Sequence, residues 1–129
     1  MSVQKKQEIH TKYAPQAIGP YSQAIRQGNI VYLSGQIGLI PETMTLVTSD
    51  IAAQIKQIFE NLCAIAKAAG GSLNNIVKLT IFLTDFKDFP LVNEIMTEYF
   101  SKPYPARSTV AVAALPKNAA IEIEAIMVL

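Results

Sequence analysis

DIAAQIKQIFENLCAIAKAAGGSLNNIVKLTIFLT, residues Asp50–Thr84, changes its hydrophobic period once, and that change sets the fold class. In the first half, Ile51, Ile55, Ile58, Phe59, Leu62, Ile65 and Ala66 recur at three- and four-residue spacing. This is the apolar stripe of a helix that Asp50 can cap and Gly70-Gly71 stops near Ala69. The second half alternates instead: Val77, Leu79, Ile81 and Leu83 share one face of a strand over Ile76–Thr84. Ile76, Lys78, Thr80 and Phe82 share the other.

Working outward, residues 1–12 are polar and expected to be loosely held at their start. Ala14-Pro15 to Gly19-Pro20 is rich in turn formers. Tyr21–Ile25 and Ile30–Ser34 flank Gln27-Gly28-Asn29 as a hairpin, and Gly38 to Ser49 reads as a loop around Pro41. Downstream, Asp88–Phe100 is a second helix, with Pro90 in its first turn and a stripe of Val92, Ile95, Met96, Tyr99 and Phe100. Pro103 and Pro105 exclude regular structure up to Arg107. Ser108–Leu115 is a strand ended by Pro116, and Ile121–Leu129 is the last strand.

The order β-β-α-β-α-β-β predicts an α+β domain, a mixed sheet with two helices on one face. No linker, repeat or low-complexity run divides residues 1–129, so one domain is expected. The run from Thr109 to Leu115 is apolar on both faces, as in a strand covered on both sides. Two helices cover only one face, so another copy of the chain is expected on the other.

Composition excludes several classes of function. Lys and Arg number 11 against 10 Asp and Glu, a formal charge of +1, and Lys5-Lys6 is the one adjacent basic pair. No field is available for a phosphate backbone or an anionic membrane, so neither nucleic acid nor membrane is expected as a partner. The N-terminus lacks an apolar core, and no stretch approaches the ~18 apolar residues of a membrane span. With one cysteine, Cys63, the chain reads as cytoplasmic.

Few residues offer chemistry. His10 is the lone histidine, so one chain holds no His-based metal site and no Ser-His-Asp arrangement. Cys63, between Leu62 and Ile65, is expected to be a small buried or half-buried residue. Gly35 and Gly38 make only GxxG, which suits close backbone approach at a strand end better than a phosphate loop. Arg107 precedes an apolar strand, where a guanidinium is costly unless paired. It is either an arginine reaching water or a fork for a planar carboxylate. Glu122 and Glu124 share a strand face that turns apolar at Ile126 and Val128. They are either solvated carboxylates or a pair of which at least one is partly buried.

Four segments together carry a resemblance: Ala17-Ile-Gly-Pro-Tyr-Ser-Gln-Ala24, Leu33-Ser-Gly-Gln-Ile37, Pro105-Ala-Arg-Ser-Thr109 and Ile121-Glu-Ile-Glu-Ala125. In order and spacing they resemble the Rid family of reactive-intermediate deaminases, formerly called YjgF, from about Ala14 to Val128. Val77-Lys78 and Phe86–Asn93 look like the family's middle strand and second helix.

The resemblance implies a chorismate-mutase-like α+β fold, a homotrimer, and active sites in clefts between subunits. It implies hydrolysis of 2-iminobutanoate and 2-iminopropanoate, derived from enamines such as 2-aminoacrylate, without metal or cofactor. Arg107 would hold the substrate carboxylate and the backbone at Thr109 would meet the imine end. Tyr21, Ser34, Gly35 and Asn93 would line the pocket, and Glu122 would hold or activate water. Many members carry cysteine where this chain has Thr109, but the backbone N–H and C=O are unaffected by that difference. The stretch Ser101–Pro105 is short compared with some members. A module that binds 2-oxo or 2-imino acids without turnover would use Arg107 equally and would not need Glu122.

Overall fold

In the computed structural model, which describes residues 5–129, helix α1 (Ile51–Ala68) begins where Asp50 predicts. The Asp50 carboxylate accepts a hydrogen bond from Ala53 N at 3.1 Å, satisfying one of the donors a helix start leaves free. At the other end Gly70 takes a φ of 98°, and Gly71 N donates to Ala66 O at 3.0 Å. The predicted stripe is buried from its second member on: Ile55, Ile58, Phe59, Leu62, Ile65 and Ala66 are all closed to solvent, and Ile51 at the helix start is half-buried.

The strand expected after this helix is β6 (Ile76–Leu83), with Leu79, Ile81 and Leu83 in the core. Val77 departs from the expected face. The pairing of β6 with β8 (Ile121–Val128) shifts register between Ile76 and Lys78. That bulge turns Ile76 into the core and Val77 outward.

The main sheet runs in the order β1 (Gln7–Ile9), β2 (Ala24–Gln27), β3 (Ile30–Gln36), β8, β6, β7 (Ala106–Ala111). Every pair is antiparallel except β6–β7, so the sheet is mixed, as expected. A parallel pair needs a crossover, and helix α2 (Phe89–Tyr99) supplies it. Its Val92, Ile95 and Met96 join the α1 stripe over the same sheet face, and the Phe59 ring lies tilted against Tyr99 and edge-to-face with Phe100, with centroids 5.1 and 5.4 Å away. The α+β reading holds in these terms.

Several details differ from the sequence reading. The expected loosely held start falls partly on residues 1–4, outside the described residues. Further in, Gln7–Ile9 forms a strand that its polar sequence did not suggest, because edge pairing rests on backbone hydrogen bonds. The Gly28 hairpin is present, with a φ of 62°, although β2 starts at Ala24 rather than Tyr21. The Gly38–Ser49 loop contains a small second sheet, β4 (Leu39–Ile40) with β5 (Thr45–Leu46). Cys63 is exposed, not half-buried: it falls just beside the helix stripe, toward water. Strand β7 ends at Ala111 and lies at the sheet edge, so the segment expected to be covered on both sides is open in the single chain. The face opposite the helices is also open, and exposes Tyr32, Val110 and Val128.

Gln23 holds the N-terminal segment onto this frame. It is 2% exposed; its Oε1 accepts from Thr11 N at 2.7 Å, and its Nε2 donates to the carbonyls of Thr11, Ala14 and Pro15. Replacing it with alanine removes the partner of the buried Ala14 and Pro15 carbonyls and of the part-buried Thr11 carbonyl. Gln23→Ala is expected to lower unfolding free energy by about 1–3 kcal/mol in urea titration, and to speed exchange of the Thr11 amide.

Candidate active site

Glu122 owes its position to the alternation of β8. Ile121 and Ile123 are fully buried under the helices, so Glu122 and Glu124 project from the other face, as their spacing predicts. The two then diverge: Glu122 is half-buried and Glu124 exposed. Opposite them β3 bulges, pairing Leu33 with Ala125 but Gln36 with Ile123, which sets Ser34-Gly35 out of register. A Cβ built on Gly35 would collide with Glu122 Oε2 and lie 3.0 Å from its Cδ. The missing side chain at Gly35 is what makes room for the carboxylate. Burial pushes the Glu122 carboxyl above its ordinary value, and repulsion from Glu124 adds to the shift.

A cavity of about 320 Å³ opens over Glu122, bordered by Gly35, Tyr21, Ile18, Met44 and Lys117. Tyr21 is exposed, and its hydroxyl accepts from Ile18 N at 3.3 Å, which bends the loop over the cavity. Ser34 braces that loop: its Oγ donates to Ser22 O at 2.6 Å, and its N to Gln23 O at 3.0 Å.

Arg107 lies elsewhere. The parallel register pairs it with Leu79, a core residue, so its side chain leaves the edge strand on the helix side. There Nη1 donates to Asn93 Oδ1 at 2.6 Å and lies 3.4 Å from Met96 Sδ. The guanidinium carbon sits 5.0 Å from the Phe89 ring centroid. The side chain is thus tethered but exposed, with further N–H donors for an anion. A second cavity of about 460 Å³ runs past Asn93, Arg107 and Tyr104. On the same strand Thr109 Oγ1 is buried without a hydrogen-bond partner among the described residues.

The predicted residues therefore fall into two groups. Tyr21, Gly35 and Glu122 border one cavity with Ser34 behind them, and Arg107 and Asn93 border another on the opposite side of the sheet. One chain does not bring them together. His10 and Cys63 are exposed and line neither cavity. Sequence reasoning missed Ile18, Met44 and Lys117. Nothing in their residue types marks them, although Met44 and Lys117 take left-handed φ values of 58° and 55°.

The raised Glu122 carboxyl has a consequence for stability. Its native value exceeds its unfolded one, so the native state holds the proton more tightly. That contribution is full in acid and lost as pH rises through the raised value. At neutral pH the ionised carboxylate is therefore a destabilising group. Glu122→Gln is expected to raise the melting temperature at pH 7, and to leave it unchanged below the ordinary glutamate range. A lower melting temperature at pH 7 would contradict this.

Comparison with known proteins shows the family. The family described as Endoribonuclease L-PSP matches residues 11–129. A 2-iminobutanoate/2-iminopropanoate deaminase of Dermatophagoides farinae is 52% identical over 124 residues, 96% of this chain and 97% of that protein. The crystal structure of RidA from an Antarctic Psychrobacter superposes with a TM-score of 0.93 at 53% identity, covering 95% of this chain and 99% of the other. TdcF of E. coli, solved with bound serine, gives 0.90 at 44% identity over 95% and 98%. The chain belongs to the endoribonuclease L-PSP family, the YjgF family in which the Rid proteins fall.

Proposed function

We propose that this chain is a deaminase that hydrolyses reactive 2-imino acids, 2-iminobutanoate and 2-iminopropanoate, to 2-oxo acids and ammonia. The reading includes a cytoplasmic location, one domain over residues 1–129, and neither metal nor cofactor. It also includes a homotrimer whose active sites form between subunits. The observation that carries it is the division of the groups: a tethered guanidinium on one side of the sheet and a half-buried carboxylate on the other. A molecule of three or four carbons cannot span a sheet, so a site using both draws Arg107 from one chain and Glu122 from the next. The open face, with Tyr32, Val110 and Val128 exposed, supplies apolar surface for that contact.

An imine is already electrophilic at its C=N carbon, so its hydrolysis needs neither a covalent nucleophile nor a strong acid. Arg107, steadied by Asn93, pairs with the substrate carboxylate and thereby fixes the adjacent carbon. Glu122 takes a proton from water as its oxygen bonds to that carbon, and the C=N π electrons move onto nitrogen, giving a carbinolamine. Glu122 returns that proton to nitrogen; the carboxylate so freed then takes the hydroxyl proton as the O–H electrons form C=O and the C–N bond breaks, releasing ammonia and leaving the 2-oxo acid. The Thr109 backbone meets the nitrogen end, and Tyr21 closes the apolar side. The raised Glu122 carboxyl brings the base closer to the operating pH than an ordinary glutamate.

The test is ammonia release from 2-aminoacrylate generated in situ. Arg107→Lys and Glu122→Gln are each expected to lose about 100-fold or more in turnover. Co-refolded together, they should recover roughly a quarter of wild-type sites by random assortment in a cyclic assembly. No recovery, with light scattering showing mixed assemblies, would overturn the shared site. Full turnover by Glu122→Gln would remove Glu122 from the mechanism, and a wild-type protein that binds 2-oxo acids without turnover would be a binding module.

A further inference from the structure

Among the described residues, Met44, Lys117 and Asn118 are the non-glycine residues with left-handed backbone, at φ 58°, 55° and 56°. Met44 and Lys117 both border the Glu122 cavity, and Asn118 is the next residue along the chain. Such conformations are uncommon for residues with side chains, and they persist where the surroundings hold them. Methionine has no local hydrogen bond to offer in return, unlike asparagine.

The support for Met44 is visible. It closes the β4–β5 hairpin, where its N donates to Ile40 O at 2.7 Å. The hairpin base is pressed onto α1: a Cβ on Gly38 would lie 3.0 Å from Gln54 Cα, and Asn61 Nδ2 donates to Leu39 O at 3.0 Å. The hairpin backbone is thus anchored, while the half-buried Met44 side chain packs against Ile37, Leu39 and Ala119. The cavity lining is mixed: Glu122, Lys117 and three glutamines supply its polar part, and Ile18, Ile37, Leu39 and Met44 supply its apolar border.

We infer that this apolar border receives the side chain of the imino acid, and that Met44 is its adjustable stop, admitting aliphatic side chains longer than ethyl. The inference rests on the deaminase reading and adds to it a specificity-determining residue. With the carboxylate on Arg107 and the C=N carbon beside Glu122, the side chain is the group left to meet apolar wall. A cavity of about 320 Å³ exceeds what an ethyl group needs, given about 30 Å³ for one water in the liquid. Methionine is unbranched and polarizable, so a wall made of it yields to the ligand where a β-branched residue would not.

The experiment compares kcat/KM for 2-iminobutanoate and 2-imino-4-methylpentanoate, each made in situ by an amino-acid oxidase, in wild type, Met44→Gly and Met44→Asn. Glycine and asparagine both accept the left-handed backbone, so both variants should fold. Wild type is expected to hydrolyse both imines. Met44→Gly should raise the long-to-short ratio of kcat/KM about tenfold. Met44→Asn relieves the same backbone but presents an amide, and should lower that ratio. A common ratio in all three proteins would overturn the inference and leave the deaminase reading standing. A wild type that accelerates neither imine would bring down both.

Discussion

Strand β8 lies between β3 and β6, and its two-residue alternation ties the stability of the fold to the chemistry of the site. Ile121, Ile123 and Met127 are closed to solvent beneath the two helices, and Ala125 nearly so. Each large one contributes about 1.5–3 kcal/mol by leaving water. The residues between them face the other way, and Glu122 is the first. A slip of one residue would bury both glutamates in the core and expose the isoleucines, so the register that stabilises the sheet also aims the carboxylate. The bulge at Ser34-Gly35 then clears the volume that the carboxylate occupies.

The same region holds features that oppose stability. Glu122 is half-buried beside a second glutamate, and the cavity rim includes two residues with side chains in a left-handed conformation. A site built for folding alone would have glycine at the rim and glutamine or an apolar residue at position 122. Strain and desolvation gathered at one cavity are the usual mark of a site that needs them. The anchored hairpin and the buried Gln23 network hold these groups in place from both sides.

On the other side of the sheet the logic differs. Arg107 stands on an edge strand that has no partner beyond it in the single chain, with Asn93, Met96 and Phe89 fixing its direction. An edge strand with exposed apolar residues is a liability for a monomer. In the proposed trimer, covering it would both protect the edge and carry the guanidinium to a neighbouring carboxylate. Thr109 Oγ1, buried without a partner among the described residues, belongs to this same edge.

The sequence by itself determined both helices, the central strands, the α+β class and the shared face of Glu122 and Glu124. All of these follow from hydrophobic period and from caps and breakers, which are local properties of the chain. Its motifs also carried the family. It did not disclose β1, whose polar residues pair through backbone alone, nor the bulge that turns Val77 outward, since both depend on a neighbouring strand. Cys63 and the β7 segment were read as more covered than they are, because exposure depends on what packs alongside. Most of all, the motifs named Arg107 and Glu122 for a cleft between subunits without saying which chain supplies each, and the tertiary structure decided that within one chain they leave opposite faces of the sheet. Strand register sets which way each side chain points, and register is a property of the partner strand as much as of the strand itself.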